Sequence, residues 1–320
     1  MANYKELKGT LITSGTSDPS SPVLGQLWYN APEFSVKVLS QNVDGPKTWA
    51  AGDSIPAGKT GGVAGGTITA AWTTGGTPNN RETYLYNGSA WSTSGQTNRS
   101  TQLNGMIGFG TSTSALITTG TNPYSNITDT FNGSTWSSGT AYPTSGSYGT
   151  GTGTTSAGLG VTLYQSTPQG LTTLYNGSWT VTGAASGSYA AGASGTQSAG
   201  LKCGSANPSK VLVQSFNGSS WTTETSNAYD REMYTDTCTG SSSASNTIVC
   251  GGSQQTEFWN GTAWATEGLF NRSTNLSGGS GTQGVSNEGF VIGGATVLSD
   301  VNVLSTGAGN PATKTVFTSS

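Results

Sequence analysis

A chain of 320 residues with only 8% charged side chains, a net charge of −3 and four arginines has no basic stripe to neutralise phosphates, which excludes nucleic-acid binding. Histidine is absent, so neither a Ser-His-Asp or Cys-His arrangement nor an imidazole metal site can be built. Chains this rich in Gly, Ser and Thr are often disordered, but nine Trp, twelve Tyr and eight Phe supply large apolar groups, and their placement decides the matter.

In chain order, residues 1–50 read as four short strands at 7–13, 26–29, 35–39 and 48–50. The opening eight residues lack the apolar core of a secretion signal. No apolar run approaches the length of a spanning helix, so no membrane insertion is expected. From residue 44 onward one motif recurs: an apolar or aromatic residue, Asn-Gly-Ser or Asn-Gly-Thr, then Trp. The copies are Tyr86-Asn87-Gly88-Ser89-Ala90-Trp91, Phe131-Asn132-Gly133-Ser134-Thr135-Trp136, the shorter Tyr175-Asn176-Gly177-Ser178-Trp179, Phe216-Asn217-Gly218-Ser219-Ser220-Trp221 and Trp259-Asn260-Gly261-Thr262-Ala263-Trp264. A weaker first copy is Asp44-Gly45-Pro46-Lys47-Thr48-Trp49, and the six Trp residues are spaced 42, 45, 43, 42 and 43 apart.

Asn-Gly between apolar positions is a strong hairpin signal, with φ > 0 expected at both turn residues. The aromatic and the Trp are therefore predicted on adjacent antiparallel strands, the third and outermost of each unit. Upstream lie a Gly-rich first strand (105–110, 149–153) and an apolar second strand ending in glycine, as at Gly75-Gly76, Gly120, Gly204, Gly251-Gly252 and Gly293-Gly294. The unit around 158–167 departs from this, with Leu163-Tyr164-Gln165 in place of the glycine pair. Glycine suits an innermost strand, where neighbouring units crowd together. Four short strands per unit of about 43 residues is the pattern of a β-propeller blade.

The predicted fold is all-β, a propeller of four-stranded antiparallel blades. Seven blades are favoured, with residues 1–50 as an irregular first blade and 51–320 as the repeats. Six blades plus an N-terminal attachment arm is the alternative. The last repeat is predicted to use 290–294, 301–304 and 314–317.

The spacing of glycine pairs, aromatics and Trp resembles the kelch family of propellers over roughly residues 55–320. The N-terminal segment Tyr4-Lys5-Glu6-Leu7-Lys8-Gly9-Thr10, then Asp18-Pro19, then Gly25-Gln26-Leu27-Trp28-Tyr29-Asn30 is similar to a group of tailed-bacteriophage virion proteins, known especially from marine phages. That resemblance implies a particle-associated, non-enzymatic structural protein: a tail, fibre or capsid appendage located in the virion. It also implies other virion proteins as partners, with a host cell-surface glycan or receptor as a candidate ligand. A pure assembly module is the alternative, an enzyme acting on surface polysaccharide is a distant one, and homo-oligomer formation stays open.

Candidate chemistry is sparse, and no cofactor or metal is expected. Glycoside cleavage needs two carboxylates about 5–10 Å apart; the one cluster is Asp230-Arg231-Glu232 with Asp236, which reads better as a solvated loop. Arg99, Arg231 and Arg272 each follow a repeat Trp by eight to ten residues, which favours a structural role over an anion grip. The repeat Trp rings read as core between blades. Off the repeat, Tyr124, Tyr142, Tyr164 and Tyr229 fall in or near connections, where exposed rings are candidates for stacking on sugars. Tyr124, Tyr142, Tyr229, Arg99, Arg231 and Arg272 thus form the candidate ligand-contact set. Cys203, Cys238 and Cys250 lack metal spacing, and a Cys238–Cys250 bridge across a hairpin is one open pairing.

Overall fold

The computed structural model describes residues 12–23, 26–41, 47–78, 81–97, 104–121, 123–164, 168–187, 192–204, 211–226, 236–240, 247–251, 255–267, 289–292, 299–306 and 311–318. All regular structure among them is β. The chain divides into two compact units: one holds residues 1–47 with 306–320, the other residues 48–305.

The smaller unit contains β1 (Thr13–Gly15), β2 (Leu27–Asn30) and β3 (Ser35–Gln41). Strand β4 (Lys47–Gly52) opens the larger unit. Five four-stranded antiparallel sheets follow, each from consecutive strands. The first is β5 (Lys59–Thr67), β6 (Ala70–Pro78), β7 (Glu82–Tyr86) and β8 (Trp91–Gln96). The second is β9 (Ile107–Thr111), β10 (Ser114–Thr118), β11 (Thr128–Phe131) and β12 (Trp136–Ser138). The third is β13 (Thr150–Thr154), β14 (Ala157–Tyr164), β15 (Pro168–Tyr175) and β16 (Trp179–Thr182). The fourth is β17 (Gly192–Thr196), β18 (Ala199–Cys203), β19 (Val213–Phe216) and β20 (Trp221–Thr223). The fifth is β21 (Asp236–Gly240), β22 (Thr247–Gly251), β23 (Gln255–Trp259) and β24 (Trp264–Glu267). A sixth sheet joins β25 (Gly289–Ile292) and β26 (Val301–Thr306) to β4, while β27 (Pro311–Thr318) pairs with β3 in the smaller unit.

These pairings rearrange the two ends of the predicted chain. Residues 314–317 were expected as the outer strand of the last repeat; they lie in β27, opposite 35–41. The outer position is filled from the other end, by β4. Correspondence along the repeat makes this clear. Gly139, three residues after Trp136, faces Thr128 and Thr130 of its own third strand, and Gly52, three residues after Trp49, likewise faces Val301 and Val303. Strand β26 therefore holds the third place and β4 the fourth. Of the four strands expected to group within residues 1–50, 48–50 thus belongs elsewhere, 26–29 and 35–39 pair with each other, and 7–11 lies outside the described residues.

Two local devices build the first four sheets. The first hairpin turns after a Gly-Thr pair: Gly66, Gly110, Gly153 and Gly195 all have φ between 95° and 108°. The threonine that follows caps the turn, as Thr111, Thr154 and Thr196 each accept from the backbone N–H three residues on at 3.1 Å. The second device is the Asn-Gly turn, which departs from expectation. Only the glycine has positive φ; no turn asparagine does. Instead the Asn87 Oδ1 accepts the N–H groups of Ser89 and Ala90, both at 3.0 Å, so the side chain shapes the loop that pairs Tyr86 with Trp91. Asn132, Asn217 and Asn260 do the same.

The core lies between adjacent sheets. Val63 and Trp72 of the first sheet meet Ile117, Phe131 and Trp136 of the second, and Leu201 and Val213 of the fourth meet Val249 and Trp259 of the fifth. The first strands β5, β9, β13, β17 and β21 pack side by side in succession, and β25 touches both β21 and β5. Hydrogen bonds also run between neighbouring first strands and their approaches: Gly105 N–H donates to Gly61 O, Tyr148 N–H to Gly105 O, and Thr152 Oγ1 to Gly195 O. The closeness demands glycine, since a Cβ at Gly151 of β13 would lie 2.7 Å from Ile107 of β9.

Cys203 and Cys250 are buried thiols. Cys238 is opposite Val249 in the strand register, and its side chain lies outside the described residues.

Candidate functional site

The repeat Trp residues do more than fill space. Each donates its indole N–H to the sheet before it. Trp136 donates to Thr83 Oγ1 at 2.8 Å, Trp179 to Thr128 at 3.0 Å, Trp221 to Thr172 at 2.8 Å and Trp49 to Thr256 at 2.8 Å. The acceptor threonine sits three residues before the motif aromatic. In the fourth and sixth sheets that position is Val213 and Val301, which have no hydroxyl. The next indole then turns to a carbonyl four residues after the preceding Trp: Trp264 donates to Thr225 O at 3.0 Å and Trp91 to Asp53 O at 2.9 Å. Six bonds thus link the six sheets in succession, the sixth to the first included.

At that last junction the packing leaves a shallow, solvent-open hollow with room for about one water molecule, lined by Asp53, Ile68, Ala71, Tyr86, Trp91, Phe290, Val301 and Val303. Tyr86 and Trp91 stack with centroids 5.1 Å apart, and Tyr86 Oη donates to the Asp53 carboxylate at 3.1 Å. Burial, then the Asp53 carboxylate, push the Tyr86 phenol above its ordinary range. The arrangement offers an apolar floor, two aromatic rings and one carboxylate. Nothing in the sequence reading singled out Asp53; its distinction is that the corresponding positions in other units are Gly95, Thr140, Gly183 and Thr225.

Two lysines were also missed. Lys59 is 3% exposed, its Nζ donating to Glu82 O at 2.8 Å and lying 4.2 Å over the Tyr84 ring. Burial pulls its amine down to about 7, opposed by the Glu82 carboxylate, to which Tyr84 Oη also donates. Lys202 is fully buried, donates to Ser186 O at 2.7 Å and is pulled down by burial to about 8. Both amines are held by carbonyl oxygens, as structural pegs. Burial likewise keeps the Tyr142 phenol protonated, with its oxygen accepting from Thr173 Oγ1 at 3.0 Å.

In the smaller unit one carboxylate organises the N-terminal motif. Asp18 accepts from Trp28 Nε1 at 2.9 Å, Asn30 Nδ2 at 2.8 Å and Lys37 Nζ at 2.9 Å. The Lys37 amine also meets Glu33 at 2.6 Å and is raised by it and by Asp18. The Trp28, Asn30 and Lys37 donors hold Asp18 down to about 2. A carboxyl depressed in the folded state contributes stability that is complete above its unfolded value of about 3.9 and is lost as pH falls through its folded value. Acid titration followed through Trp28 fluorescence should therefore show this unit loosening between about pH 4 and 2, and Asp18→Asn should flatten that transition; an unchanged transition would count against the clamp.

The candidate contact residues separate. Tyr124 is 40% exposed on the connection between the second and third strands of the second sheet, near Ile127 at 46%. Tyr142 is 1% exposed and packs edge-on against Trp179 at 4.8 Å, which removes it as a surface contact. It sits six residues after Trp136, in step with the buried residues Ile55, Thr97 and Ala185 after their own Trp, so it belongs to the repeat after all. Tyr229, Arg99, Arg231, Arg272 and the Asp230–Glu232 pair lie outside the described residues. Among the described residues no group of three acidic or cysteine side chains is placed to hold a metal ion. No protein-family model and no curated protein matches this chain.

Proposed function

We propose that residues 48–305 form a closed six-bladed propeller and that the chain is a non-enzymatic structural protein of a tailed-phage particle, displaying that propeller on its surface. The resemblance of the N-terminal motif to phage virion proteins is the starting point. The observation that carries the reading is that Asp18, Trp28 and Asn30 of that motif, with Lys37, form the hub of a separate compact unit completed by the chain's last strand. A small unit with its own clamp suits attachment to neighbouring virion subunits. Six indole links in succession suit a rigid body that has to survive outside a cell.

Host contact is the finer part of the proposal. The exposed Tyr124 and the Tyr86–Trp91–Asp53 hollow are two of the described surfaces with aromatic rings for a saccharide. Antibodies raised against the purified protein should label intact particles, and a glycan array should show binding that Tyr124→Ala or Trp91→Ala weakens. Protein abundant in infected-cell lysate but missing from purified particles would overturn the virion reading. Labelled particles with no glycan bound would leave the assembly role alone.

A further inference from the structure

The sequence holds six Asn-Gly pairs. Asn104 is half-buried and accepts from Thr77 Oγ1 at 3.2 Å. The other five form turns that project from the sheets, with asparagines that are all exposed yet chemically unequal. In four of them the asparagine oxygen accepts two backbone N–H groups at 2.9–3.0 Å. The fifth turn is one residue shorter, so Tyr175 pairs with Trp179 across only Asn176, Gly177 and Ser178. There the Asn176 N–H donates to Ser178 O at 3.2 Å, and among the described residues the side chain has no hydrogen bond. Packing differs in the same sense. The positions a Cβ would take at Gly88, Gly133 and Gly218 lie 3.2–3.6 Å from the neighbouring hairpin turn, whereas at Gly177 nothing lies within 4 Å.

We propose that Asn176 is a spontaneous modification site, where the amide converts to aspartate and isoaspartate ahead of the other four Asn-Gly turns. The backbone nitrogen of Gly177 attacks Asn176 Cγ and gives up its proton. The new C–N bond closes a succinimide as the Cγ–Nδ2 bond breaks and ammonia leaves. Water then opens the ring at either carbonyl, giving aspartate or isoaspartate, with no oxidation or reduction. Reaction requires Cγ to swing onto the glycine nitrogen, which has no side chain to block it. The paired hydrogen bonds of the other asparagines hold their amides out of that path; the free amide of Asn176 is not held. Isoaspartate adds an atom to the main chain and a negative charge beside Gly177, whose carbonyl accepts from Thr140 of the preceding sheet at 3.2 Å. The change therefore reaches a contact between sheets.

The test is peptide mapping by mass spectrometry of the intact protein, aged at mildly alkaline pH and sampled over days. Asn176 should convert on the order of tenfold faster than Asn87, Asn132, Asn217 or Asn260, the factor that two lost hydrogen bonds imply. Inserting an alanine between Ser178 and Trp179 rebuilds the longer turn and should bring Asn176 down to the rate of the others. Equal rates at all five sites, a faster rate at a capped site, or no conversion at Asn176 would overturn the proposal.

Discussion

Replacing Trp136 with alanine is expected to cost about 3–5 kcal/mol, the range for truncating a large buried aromatic. Trp136 is 4% exposed, with Phe131 at 4.9 Å and Trp72 at 6.1 Å between ring centroids. Truncation empties the space between the first and second sheets and leaves Thr83 Oγ1 without its donor. Trp91→Ala should cost less, since that ring borders the open hollow. Thr83→Val supplies the control. Trp264 and Trp91 follow sheets with valine at this position and satisfy their indoles on a main-chain carbonyl. The Thr83→Val cost should therefore stay near the low end for a lost buried hydrogen bond, about 1 kcal/mol, and shrink further when Trp136 is already alanine. Urea midpoints for the two single variants and the double variant decide it. A near-wild-type midpoint for Trp136→Ala would mean the sheets are not joined through this ring.

The second large effect is expected at Gly110. Its φ of 108° is strained for an L side chain, and an added Cβ would lie 2.3 Å from the Ser114 carbonyl oxygen. Neither the hairpin nor the neighbouring strand can retreat from a main-chain atom. Gly110→Ala should lose about 1–3 kcal/mol to backbone strain and a further ~1–3 kcal/mol to overpacking. Gly133→Ala isolates the first part, because its φ is 94° but its nearest neighbour is at 3.4 Å. Thermal unfolding of the two variants should place Gly110→Ala well below Gly133→Ala. Equal midpoints would show that the first hairpin is less constrained than its geometry requires.

Much of the sheet arrangement was written in short range. Asn-Gly before Trp fixes where two strands turn, and a regular Trp spacing fixes the length of the unit. Both signals act within a few residues, so they survive any error in how units are joined. The ends of the chain were a different problem. Whether 48–50 or 314–317 completes the last sheet depends on which strand reaches β26, and no local preference encodes that. Tyr142 was misjudged because its spacing to Trp136 shows only when lined up with Ile55, Thr97 and Ala185, four residue types with nothing in common but burial. Asp18 had no periodicity to reveal it, as its three donors come from strands β2 and β3, 10 to 19 positions away. Lys59 and Lys202 were invisible for a plainer reason: a lysine is buried only when a carbonyl happens to be within reach.

The completion of the sixth sheet by β4 sets the order of events at the ribosome. Trp49 is 207 positions from its acceptor Thr256, so at ordinary elongation rates it waits roughly 10–40 s for that partner to be made. Through that interval five sheets can assemble from their own hairpins, with one strand waiting at the start and none yet to receive it. The long loop costs little to close once β26 emerges, because closure entropy grows only logarithmically with length. A chain released early, however, keeps a bare strand edge and an unshielded aromatic face, the features by which sheets stick to one another. Until β26 has been made, β4 has no partner strand, so the sixth sheet is the last of the larger unit to form.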